Sequence, residues 1–129
     1  MQFEFKKEYN DVIIRKQMSE KLMKQNPGKI PIICEKAPKS KLKKMDKSKF
    51  LVPRDFVVSQ FNLIIRTKIE LNSEEALYLL AIAKHSEYSI VGETRLGDIY
   101  ERYANKEDGF LYIVYAEEIF MAGSIRKHL

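Results

Sequence analysis

The chain has 129 residues, a 45% apolar content, one cysteine and a formal net charge of +5. That length suits a single domain able to bury about two thirds of its unfolded surface, and a lone cysteine excludes an internal disulfide framework. No apolar run reaches the roughly 20 residues that a membrane-spanning helix needs, and the charged start MQFEFKKEYN does not read as a secretory leader, so a reducing cytoplasmic setting is expected.

The first 26 residues read as helical, with a shorter turn around Phe3 and Phe5. Ile14, Met18 and Leu22 recur at helical spacing and are expected on the inward stripe, with Arg15, Lys16, Lys21 and Lys24 largely off it. Asn10 or Asp11 is placed to cap the helix, and Pro27-Gly28 to end it. KIPIICE (29–35) is β-branched and almost continuously apolar, as suits a strand covered on both faces. Alternation sets Ile30, Ile32 and Cys34 on one face and Pro31 and Ile33 on the other, and Cys34 reads as a small core residue.

KFLVP (49–53) is a short strand, and its proline points to a sheet edge. A helical stripe comes next in Val58, Phe61, Ile65 and Ile69, with Ile64 beside it. LYLLAIA (77–83) is too short for a buried helix and reads as a strand, and KHSEYSIVGE as a loop. RLGDIYERYA is a short amphipathic helix with Leu96, Ile99 and Tyr103 inward, Asn105 to Gly109 a turn, and FLYIVY (110–115) the last strand. The predicted order is ααββαβαβ. Without its first two helices this is a short sheet crossed by one long helix: an α+β, ubiquitin-like β-grasp with two additional N-terminal helices, in which the last strand is central.

Charge divides the chain unevenly. Residues 1–68 carry 17 Lys+Arg against 7 Asp+Glu, and residues 69–129 carry 6 against 11. The basic excess peaks between Lys36 and Lys49, a patch that attracts acidic peptide, phospholipid headgroup or nucleic acid, or else simply a solvated loop. No metal-ligand spacing and no phosphate-loop, dinucleotide or nucleophile motif occurs, so neither catalysis nor a cofactor is expected and function is sought in surfaces. A basic nucleic-acid-binding domain is a distant alternative, because the lysines carry no interleaved aromatic stripe.

The stretches NPGKIPIICEKAPKS, KMDKSKFLVPRD, QFNLIIRTKIEL, SEEALYL and KEDGFLYIVYAEE, in that order over most of residues 3–118, resemble the autophagy-related ubiquitin-like modifiers. This is the family of GABA-receptor-associated protein and microtubule-associated protein light chain 3. The resemblance implies a helical extension at 1–27, a core at 28–118 and a flexible tail at 119–129. It also implies a groove for aromatic-x-x-aliphatic peptides of cargo receptors. A first pocket would be lined by Leu22, Pro31, Ile33, Lys49, Leu51 and Phe110. A second would involve Phe50, Val52, Pro53, Phe56, Phe61 and Ile64. Lys29, Lys47 and Arg66 match basic positions that bear on ligands or conjugation partners.

Gly123, one residue past the family's usual glycine position, which falls on Ala122, is expected to be the residue joined to phosphatidylethanolamine once a cysteine protease has removed the C-terminal remainder, here SIRKHL, with activating and conjugating enzymes as further partners. The resemblance thus implies a cytoplasmic protein that moves to autophagosomal membranes when lipidated. The tail departs from the family: Met121 and Ala122 stand where an aromatic normally precedes the glycine. The 84–93 loop is also longer than usual. A non-conjugated adaptor with the same groove is the alternative.

Overall fold

β-Branched and aromatic residues concentrate in the segments that form the sheet. In the structure, a computed structural model that describes residues 2–119, these are β1 (Lys29–Lys36), β2 (Lys49–Pro53), β3 (Tyr78–Ala83), β4 (Ser86–Ile90) and β5 (Leu111–Ala116). Helices α1 (Glu4–Glu8) and α2 (Val12–Gln25) precede the sheet, α3 (Val58–Lys68) comes after β2, and α4 (Leu96–Tyr103) precedes β5. The strand order is β2-β1-β5-β3-β4; β1 and β5 run parallel and the other neighbours antiparallel. This is the β-grasp expected from the sequence, with β5 at its centre and β2 at one edge.

Both faces of the sheet are covered, so side-chain parity sorts the core into two layers. Ile30, Ile32 and Cys34 pack with Leu111, Ile113 and Tyr115 against Phe61 and Ile65 of α3 and Leu96 and Ile99 of α4. Ile33, Tyr112 and Val114 pack on the other face against Phe3 and Phe5 of the α1 segment, with Met18 and Leu22 of α2 beside them. Every residue of β5 is buried, which is why its sequence shows no polar alternation.

Two expectations are corrected. The segment read as a loop contains β4, which forms a hairpin with β3 through the two residues Lys84 and His85. Both have positive φ (51° and 67°), the pair of conformations a type I′ turn requires. No asparagine or glycine announces that turn, and the mixed polarity of Ser86–Ile90 hides the strand.

The inward stripe of α2 is also rotated. Ile14 is 43% exposed, while Arg15 and Ser19 are buried. The cause is a polar lock: Arg15 Nε donates to Asp108 Oδ2 at 2.8 Å, and its Nη1 to the Tyr9 carbonyl at 2.7 Å. Tyr112 donates its hydroxyl to Asp108 Oδ2, and the Phe110 N–H donates to Oδ1. Ser19 donates to the Asp108 carbonyl. Burial, reinforced by the bond to Asp108, raises the Tyr112 phenol above its ordinary pKa. Gly109, at φ +81°, lies so close that a Cβ would stand 2.6 Å from Ser19 Oγ.

Local chemistry sets the remaining ends. Asp11 caps α2 by accepting from the Ile13 N–H, and the Glu35 carboxylate of β1 accepts from the N–H groups of Glu4 and Phe5, tying α1 to the sheet.

Candidate functional site

Among the described residues β2 pairs with β1 alone, which leaves one of its sides open. The ladder determines which backbone groups face that side. The Cys34 N–H donates to the Ser48 carbonyl and the Arg54 N–H to the Gly28 carbonyl. These bonds bracket the pairs Ile33–Lys49 to Lys29–Pro53. Alternation then turns Ser48, Phe50, Val52 and Arg54 toward β1, and turns the backbone groups of Lys49, Leu51 and Pro53 outward. Pro53 is tolerated there because its missing N–H lies on the unpaired side.

Side chains leave β2 on both faces. Lys49 and Leu51 share a face with their cross-strand partners Ile33 and Pro31, beside Leu22 and Phe110. Within this set Pro31, Ile33 and Phe110 are buried and form a floor. Leu22 and Leu51 are partly exposed and Lys49 is exposed at the rim. Phe50 and Val52 point to the opposite face, where the Phe50 ring meets Phe61 edge-on at 5.5 Å. Phe56 and Ile64 are half-buried against the same cluster, whereas Phe61 and Val52 are buried beneath it. Pro53 shares the register of Leu51 rather than of Phe50, and its carbonyl accepts from the Phe56 N–H as the chain turns toward α3.

The first set of predicted pocket residues therefore assembles on one face of the edge strand. The second assembles on the other, with Pro53 at the boundary. Lys68 escapes sequence reasoning; it lies four residues after Ile64, and its Nζ stands 5.9 Å from the Phe50 ring centroid. That spacing on one helical ridge is the signal that could have found it.

The basic groups divide by what they hold. Lys36 donates to the carbonyls of Ala37 and Ser40, and Lys43 pairs with Glu70. Arg66 bonds Asn62 and the carbonyls of Asn72 and Glu75, so its guanidinium pins the chain after α3. Lys29, Lys47 and Lys49 are exposed and form no ion pair among the described residues. Cys34 is fully buried in the core, and burial, with the nearby Glu35 charge, raises its thiol above the ordinary range. Among the described residues no cluster of His, Cys, Asp or Glu is arranged to hold a metal, and no helix is long and apolar enough to cross a membrane.

Residues 14–121 match the family described as "Autophagy protein Atg8 ubiquitin like". The chain belongs to the ATG8 family. The crystal structure of ATG8 from Trypanosoma brucei superposes with a TM-score of 0.79 at 31% sequence identity, over 90% of this chain and 95% of that one. An ATG8 protein is a ubiquitin-like protein of autophagy, and this chain is one by sequence and by fold. Gly123 lies outside the described residues.

Proposed function

We propose that this ATG8-family protein recruits cargo receptors by binding aromatic-x-x-aliphatic peptides along β2. We further propose that it is anchored to autophagosomal membranes by conjugation of Gly123 to phosphatidylethanolamine. It acts as a modifier drawn from the cytoplasm, without enzymatic activity or a cofactor of its own. The observation that carries the reading is the side of β2 left open among the described residues, where the backbone of Lys49 and Leu51 faces outward between apolar side chains on both faces.

An added strand alternates its side chains, so residues three apart project to opposite faces. Aromatic-x-x-aliphatic spacing therefore sends one anchor toward Leu22, Pro31, Ile33, Leu51 and Phe110. The other goes toward Phe50, Val52, Phe56, Phe61 and Ile64, with Pro53 at the boundary. Burying each anchor contributes roughly 2–3 kcal/mol, and after ordering costs an affinity near micromolar is expected. Lys29, Lys47 and Lys49 attract the ligand's acidic flank, whereas Arg66 supports the chain after α3.

Lys49→Glu is expected to weaken an acidic aromatic-x-x-aliphatic peptide several-fold without changing the melting temperature. Titration of that peptide should shift the amide resonances of residues 49–53. Unmoved resonances there would refute the groove.

Conjugation rests on family membership and on the presence of Gly123 near the C-terminus. A processing cysteine protease and the activating and conjugating enzymes are its partners in that role. Intact-mass measurement after exposure to the cognate protease should show loss of SIRKHL. An uncleaved chain would favour the adaptor reading, which keeps the same groove.

A further inference from the structure

We propose a second docking surface, for an extended acidic peptide, in the groove under the β3–β4 hairpin at the opposite margin of the sheet. It does not depend on the reading of β2. The β3–β5 ladder ends at Ala81–Ile113, whereas β3 and β4 remain paired out to Ala83–Ser86. By that register Ile82 and Ala83 lie level with Tyr112 and Leu111 without pairing with them, so the hairpin tip parts from β5. Between the hairpin tip, the end of α4, the 104–107 turn and α1 lies a groove of about 1060 Å³.

Its charge runs against its surroundings. Residues 69–119 contain four lysines and arginines within an acidic half of the chain. Three of the four, Lys84, Arg102 and Lys106, line this groove, and the fourth, Arg95, is paired with Asp55. Lys6 from α1 and His85 from the hairpin turn line it as well, against the carboxylates Glu87 and Glu107. Among the described residues none of these five basic side chains forms an ion pair. Two of them, Lys84 and His85, occupy left-handed backbone positions that glycine or asparagine ordinarily fills. Non-glycine residues held in such conformations cluster at binding sites.

The shape and the rings select the ligand. A concave groove takes a chain better than the flat surface of a bilayer. Tyr88 and Tyr103 stack on each other at 4.5 Å, and Phe3 and Tyr112 are buried, so among the described residues the rings of this groove are already engaged with protein partners rather than spread as a stacking platform for successive bases. Ile82 and Ala83 supply partly exposed apolar contact next to the basic groups. An extended segment alternating acidic and apolar residues matches this lining.

The test is fluorescence anisotropy of a labelled peptide alternating glutamate and valine, titrated with the full chain, with amide shifts recorded in parallel. Saturable binding is expected, with shifts confined to 82–88 and 104–107. The combined variant Lys84→Glu, Arg102→Glu, Lys106→Glu should lose affinity by about tenfold or more. It should keep its affinity for an aromatic-x-x-aliphatic peptide. If that variant fails to fold, Lys84→Gln with Lys106→Gln should still weaken the acidic peptide several-fold. The proposal is overturned by any of three results. These are absence of saturable binding, shifts at 49–53 instead, or tighter binding of phosphatidylserine vesicles or an oligouridine strand through the same three side chains.

Discussion

Arg15 joins three parts of the chain that are distant in sequence: the end of α1 through Tyr9, its own helix, and Asp108 ahead of β5, 93 residues away. Among the described residues, Arg15→Ala would leave the buried Asp108 carboxylate with the Tyr112 hydroxyl and the Phe110 N–H as partners. Removing one partner of a buried pair costs about 3–5 kcal/mol, so urea denaturation should show a loss of that order. Peptide affinity at β2 should fall as well, because the same lock positions Leu22 and Phe110. Periodicity could not expose this residue: a guanidinium scores as solvent-facing, and its partner is remote. Lys49 was legible, since a lysine inside a proline-ended strand has an open edge on which to lie. Which apolar neighbours of β2 are buried and which stay partly exposed was not, because Ile33 and Leu51 look alike in sequence and differ only in what covers them.

Among the elements, the β3–β4 hairpin departs most from what the sequence announced. β3, β5 and α3 were readable from apolar runs and spacing, and β2 from its proline. β4 was hidden because an edge strand need not be apolar, and because Lys-His is an unusual filler for its turn. Left-handed backbone costs a residue with a Cβ about 1–2 kcal/mol, and glycine returns part of that gain through unfolded-state entropy. His85→Gly should therefore stabilise the protein by about 0.5–1 kcal/mol, visible as a melting temperature a few degrees higher. The same substitution should weaken the acidic peptide at the hairpin groove. A stabilised variant with undiminished binding would show that His85 contributes only to the turn.

The whole molecule is a sheet closed on both faces, and its centre is sensitive to base. Tyr115 of β5 donates its hydroxyl to the Lys43 carbonyl at 2.7 Å, fastening the lysine loop to the core. Burial, followed by the proximity of Cys34, pushes its phenol up to about 12. A phenol whose folded-state pKa is raised favours the folded state fully below the unfolded value of about 10. That contribution is lost as pH rises from there through the folded value. Unfolding free energy should thus fall above a pH of about 10, and less steeply in Tyr115→Phe; an equal slope would exclude Tyr115 as the source. Cys34 and Tyr112 shift in the same direction, so some slope should remain. At this scale the sequence was most informative, because parity along β1 and the all-apolar β5 already specify a sheet covered twice.

The bare margin of β2 carries a hazard of its own, since strands left open invite copies of the same chain to stack without limit. Lys49 and Pro53 stand at its two ends. Two copies meeting there would set like charges together and lack an amide donor at each proline. The edge should therefore resist fibril growth by identical chains, so the protein is expected to stay dispersed at concentrations where a Lys49→Val, Pro53→Val chain begins to polymerise.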